Sequence, residues 1–125
     1  MRSIRCYISP PPASRNKIAD WHNDLSAQER ADADQFIQKM RKTQDWKMPL
    51  YRPRLRGGNG LGELRWWSNN KQHRLIGFFM GYAWYAVMGC THKQRIYSPP
   101  NALETAKIRK GQIERGEVET AEYDL

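Results

Sequence analysis

A chain of 125 residues with 39% hydrophobic content, five Trp, six Tyr and three Phe can enclose one core, and its length excludes a two-domain arrangement. Lys and Arg number 21 against 13 Asp and Glu, a formal charge of +8 that points to a polyanionic partner. Cys6 and Cys90 are too few and too far apart for a disulfide framework or a Cys-x-x-Cys zinc site, and read as two buried thiols.

In chain order, Met1 to Ser9 lacks the apolar run and small-residue cleavage site of a signal peptide, so a cytoplasmic location is expected. Arg2 to Ile8 holds Ile4, Tyr7 and Ile8 and stops at three prolines, which predicts a short strand at a sheet edge. Ile18, Trp21 and Leu25 follow helical spacing over Ser14 to Leu25, with Ser14 as the expected N-cap. Ser26-Ala-Gln-Glu29 fits a capping box, so a second helix is expected with Ala33, Phe36, Ile37 and Met40 as its buried stripe, fraying by Lys42. Thr43 to Gly60, with two prolines and three glycines, reads as a loop.

Three antiparallel strands are expected next. Leu61 to Ser68 and Gln72 to Met80 flank the turn Asn69-Asn70-Lys71, and Tyr82 to Thr91 follows a second turn near Gly81. Leu75-Ile76 and Phe78-Phe79 put apolar groups on both faces of the middle strand, which predicts cover on both sides. Leu75 to Thr91, interrupted by three glycines, falls short of a membrane-spanning helix. Asn101 and Glu104 repeat the capping logic ahead of a third helix, Ala102 to Arg115, ended by Gly116. The expectation is a single α+β domain over residues 1–115, a helical hairpin on an antiparallel sheet of about four strands with a C-terminal helix. Residues 116–125 form an acidic tail with few anchors.

The charge is not evenly spread. Residues 41–74 carry nine basic and two acidic residues, a local excess of seven, interleaved with Trp46, Tyr51, Trp66 and Trp67. A solvated face gives such a run, and so does a surface that binds phosphates and stacks bases.

Motif chemistry narrows the choices. His22, His73 and His92 are scattered and no HExxH motif occurs, so no metal is expected. Gly57-Gly-Asn-Gly60 lacks the Gly-Lys-Ser/Thr ending of a phosphate loop, so no nucleotide cofactor is implied. The stronger constellation is basic and aromatic: Arg65 and Arg74 flank the hairpin turn, and His92, Lys93, Arg95 and Tyr97 follow the last strand. These groups suit metal-free RNA cleavage, in which a 2′-hydroxyl attacks the adjacent phosphorus. That reaction needs a base, cations on the phosphate and an acid at the leaving oxygen. His92, Lys93 and Arg74 are the catalytic candidates. Arg65, Arg95 and Arg56 are candidates for phosphate, and Tyr97 and Trp67 for stacked bases. Arg65 also stands two residues from Glu63 on the same strand face, so an ordinary ion pair is the alternative for it.

Trp46-x-x-Pro49, Leu55-Arg-Gly, Gly60-Leu-Gly-Glu-Leu-Arg65, Arg74 on the next strand, a hydrophobic strand ending in a basic turn, and a helix holding Glu104 and Ala106 together resemble the HigB-like, phage-derived branch of the RelE/ParE toxin superfamily. The resemblance spans about residues 2–115. It implies a RelE-like fold on a curved antiparallel sheet and the toxin of a type II toxin-antitoxin module. Such a toxin cleaves mRNA on the ribosome and is neutralised by a helix-turn-helix antitoxin, as a homodimer or a toxin-antitoxin hetero-oligomer away from membranes. It also implies Arg65 and Arg74 on phosphate and Lys93 as the basic residue after the last strand. The family's Phe followed by a Lys-Lys pair is replaced here by Cys90-Thr-His-Lys-Gln-Arg95, which places His92 where a lysine would carry the proton or marks an altered member. The other readings are a superfamily member that acts by protein contact, as gyrase poisons do, and a phage RNA-binding protein.

Overall fold

The computed structural model describes all of residues 1–125. The first strand, β1 (Ser3–Tyr7), leads through the proline turn to α1 (Lys17–Asp24). Asn16 caps this helix, its side chain accepting from the amides of Ile18 and Ala19. The expected cap, Ser14, lies outside the helix at a φ of 46° in the preceding turn. The capping box forms as its spacing predicts: the Ser26 hydroxyl accepts from the Glu29 amide and the Glu29 carboxylate from the Ser26 amide, opening α2 (Ala27–Arg41). Ala33, Ile37 and Met40 are fully buried, and Phe36 packs half-buried against them.

The expected loop contains a two-residue strand, β2 (Tyr51–Arg52). Three long strands follow, β3 (Gly62–Ser68), β4 (Lys71–Met80) and β5 (Ala83–Lys93). Asn69 and Asn70, with φ of 53° and 58°, make the tight turn between β3 and β4, since a two-residue hairpin turn with positive φ matches the strand twist. Beyond β5 come β6 (Ile96–Ser98), α3 (Ala102–Glu114) and β7 (Thr120–Glu122). Asn101 precedes α3 but makes no side-chain cap bond, so its expected role is not taken up.

The sheet is larger and less uniform than four antiparallel strands. It has seven, ordered β2-β3-β4-β5-β1-β7, with β6 also paired to β5, and it is mixed because β1 runs parallel to β5. Two expectations fail together at β1. It is an interior strand rather than an edge: Ser3 pairs with Ala83 on one side and Arg5 with Glu122 on the other. The acidic tail supplies that second neighbour. Tyr123 donates its amide to the Ile4 carbonyl, is 3% exposed, and its carbonyl accepts from Arg41. The polar residues of β1 hide the arrangement in the sequence, because Arg5 spends its guanidinium on the Thr120 hydroxyl and carbonyl.

Two cores lie on opposite faces of the sheet. One joins α1 and α2 to Ile4, Leu64, Trp66, Leu75 and Trp84; the other joins α3 to Ile76, Phe78, Val87 and Cys90. The middle strand β4 is therefore covered on both sides, as its apolar doublets predict. Gly77 sits at the bulge between β4 and β5, where a Cβ would stand 2.3 Å from the Tyr85 carbonyl oxygen and 2.6 Å from the Trp84 ring. No helix is long and apolar enough to cross a membrane.

Candidate nucleic-acid interface

Strand register decides which polar side chains meet. Arg65 on β3 pairs with Arg74 on β4, Arg74 with Cys90 on β5, Gln72 with His92, and His92 with Tyr97 on β6. Directly opposed residues in antiparallel strands share a face, so these groups project on the side that carries α3. Glu63 and Trp67, two residues either side of Arg65, project there as well.

Glu63 is the centre of the arrangement. Its carboxylate is 3% exposed and accepts a 2.6 Å hydrogen bond from the Tyr97 hydroxyl. The Nε atoms of Arg74 and Arg65 face its other oxygen at 3.5 and 3.6 Å, within ion-pair range but without a hydrogen bond. One carboxylate thus stands between two guanidiniums, and the cluster keeps an excess positive charge for an anion. Arg74 is itself 3% exposed and its terminal nitrogens are committed to the His73 carbonyl and the Gln72 side chain. Arg65 is more open, and one of its terminal nitrogens meets only the thioether of Met48. Of the two, Arg65 is the guanidinium free to turn toward a ligand.

His92 packs edge-on to the Tyr97 ring at 5.1 Å between centroids. Burial, then the positive charge of Arg74, holds its pKa below the ordinary imidazole value; Arg65 and Arg52 act in the same direction and Glu63 against it. The ring is therefore neutral at pH 7 and able to accept a proton. Burial and the bond to Glu63 raise the Tyr97 pKa well above the ordinary phenol range, which fits Tyr97 as an orienting donor rather than an acid. The Cys90 thiol is pushed up to about 12 by burial and is no nucleophile at neutral pH. No three His, Cys, Asp or Glu side chains converge into a metal-binding group.

The family model for phage derived protein Gp49-like (DUF891) matches residues 20–111. The chain belongs to that family. The match carries every member of this Gp49-like cluster, from Glu63 to Tyr97, and leaves out β1 and β7, the strands that complete the sheet on its far side. No curated protein and no solved structure matches the chain.

Within the Gp49-like domain the predicted site residues divide. Arg65, Arg74, His92 and Tyr97 are brought together. Trp67 stands beside them, 67% exposed, on the wall of a cleft of about 430 Å³ that Arg65, Gln72 and Arg74 also line. Lys93 does not join the cluster, because the alternation that turns His92 toward Arg74 turns the next residue to the opposite face. Arg95 is exposed in the β5–β6 turn with a φ of 68°, and Arg56 is exposed in the loop before β3. The sequence offers Glu63 as an ion-pair partner for Arg65 and gives it no wider role. Its i, i+2 spacing to Arg65 signals a shared face, but its bonds to β4 and β6 follow only from the register.

Proposed function

We propose that this chain is a RelE/ParE-type, HigB-like toxin that cleaves mRNA on the ribosome without a metal ion. The observation that supports it is the convergence of Arg65, Arg74 and a neutral His92 on one sheet face, in a chain of the Gp49-like family. In this reading Arg65 binds the scissile phosphate and Arg74, fixed behind it, adds a field that strengthens as negative charge grows in the transition state. His92 takes the proton from the ribose 2′-hydroxyl, whose oxygen attacks phosphorus. The bond to the 5′-oxygen breaks and that oxygen takes a proton from water. The products are a 2′,3′-cyclic phosphate and a free 5′-hydroxyl. Trp67 holds an unpaired base beside the site. A helix-turn-helix antitoxin would silence the toxin by covering this face.

The test is tightly controlled expression followed by mapping of cellular mRNA 5′ ends. Cuts within codons that disappear in His92→Ala and Arg65→Ala support the reading. DNA damage without mRNA cuts would transfer it to a toxin acting by protein contact, and unimpaired growth on induction would overturn both.

A further inference from the structure

Among the five tryptophans Trp67 alone is exposed, and it stands where the sheet loses its outer neighbour. The short β2 covers β3 only at Glu63 and Leu64, and Leu50 takes the Arg65 amide; from Trp66 onward no strand lies outside β3. Two clefts open at this edge. The one of about 430 Å³ is lined by Arg65, Gln72 and Arg74, the other, of about 510 Å³, by Gln35 and Lys39. They share Phe36, Trp66 and Trp67, and of these only the Trp67 indole is exposed, a wall common to both. Each is large enough for one nucleotide-sized group.

The floor under that wall is aromatic. The Trp66 ring stacks between Phe36, 5.0 Å away, and His73, 5.8 Å away. It is also short of acceptors. Five buried side-chain nitrogens in the protein have no hydrogen-bond partner, and three of them, Arg65 Nε, Trp66 Nε1 and Arg74 Nε, belong to residues lining the first cleft. Arg65 Nε and Arg74 Nε are turned to the Glu63 carboxylate at 3.6 and 3.5 Å, so the donor left for an occupant with acceptors is the Arg65 terminal nitrogen that meets only the Met48 thioether. The second cleft holds one carboxylate, Asp32, which accepts from Ser68 and Gln28, and one cation, Lys39, so Arg65 and Arg74 of the first cleft supply the net positive charge.

We infer that Trp67 inserts between two successive bases of a single-stranded RNA, one base in each cleft, with the phosphate of that step on Arg65. The inference rests on the reading of the preceding subsection and specifies its substrate as RNA that is single-stranded and unstacked at one step. Aromatic side chains stack on any base, and cations flank both clefts, so the pair of slots accepts a strand without requiring one sequence.

The experiment uses the full chain and a short RNA whose only two bases are adjacent 2-aminopurines, the other positions being abasic, with a fully abasic strand as control. Binding is read by anisotropy at about 50 mM salt, where backbone contacts are strong. The stacked state of the base pair is read from its exciton-coupled circular dichroism. Wild type is expected to abolish the exciton band and to bind the two-base strand about 10-fold or more tighter than the abasic one. Trp67→Ala should keep the band and lose that preference, Trp67→Phe should restore part of it, and Arg65→Ala should weaken both strands alike. An exciton band that persists in the wild-type complex, or a Trp67→Ala protein that keeps the preference, overturns the wedge. RNA cleavage would still be judged by the mapped 5′ ends. Failure of wild type to bind either strand overturns the wedge, whereas the RNA-directed function falls only if the mapped 5′ ends show no cuts.

Discussion

Arg65 and Arg74 carry the same charge 3.5 to 3.6 Å from the same carboxylate, yet removing them should have different consequences. Arg74 is almost fully buried and tied at three points, so Arg74→Ala leaves Glu63 partly uncompensated; urea denaturation should show a loss of about 3–5 kcal/mol. Arg65 is more open and loosely held, so Arg65→Ala should change stability by less than about 1 kcal/mol while lowering RNA affinity and cleavage. An activity loss in the Arg65 variant is therefore informative about function, whereas one in the Arg74 variant is confounded by folding. In the proposed mechanism His92 sets the pH dependence. With its pKa depressed by burial and by Arg74, the neutral base persists below the ordinary 6.5, so the acid limb of kcat/KM should fall below that value. Bound phosphate offsets the guanidinium charge and favours imidazolium, which should move the acid limb of kcat to higher pH than that of kcat/KM. Rates measured across this range on programmed ribosomes would show whether the two limbs separate.

At the scale of elements, β7 and Tyr123 act as structure rather than as a loose acidic end. Tyr123 is 3% exposed in the same core as Ile4, Cys6 and Trp84, so Tyr123→Ala should cost about 3–5 kcal/mol, measurable as a lower urea midpoint with the slope unchanged. Which elements could be read in advance follows from how local their causes are. The Ser26–Glu29 box and the Asn69-Asn70 turn involve groups a few residues apart, and both form as expected. The pairing of Ser3 with Ala83 and of Arg5 with Glu122 is a choice among distant strands that no local pattern dictates. The candidate site divides on the same line. Arg65, Arg74, His92 and Tyr97, and the exclusion of Lys93 next to His92, follow from strand alternation once the strands are placed, whereas the bridging of β3, β4 and β6 by Glu63 needs the actual register.

For the whole molecule, the concentration of charge between residues 41 and 74 becomes geometry. Arg52, Arg54 and Arg56 are exposed on β2 and the loop beside the Arg65 cluster. Each phosphate contact on single-stranded nucleic acid contributes about 0.7 to the slope of log affinity against log salt. Replacing all three by Ala should then lower that slope by about 2, read from binding isotherms over a salt series, and leave the stability of the fold within about 0.5 kcal/mol per site.

The place of β1 also constrains how the protein comes into being. Synthesis delivers Ile4 and Cys6 first, but β5, their neighbour on one side, follows some eighty residues later, and β7 and Tyr123 on the other side come later still. Contacts this distant form slowly, because a long loop must close before any pairing rewards it. Until residue 123 is free, a growing chain carries β1, with Ile4, Cys6 and Tyr7 to bury, as a strand with an open edge. That interval, rather than the finished fold, is when the protein is most open to misassembly and proteolysis.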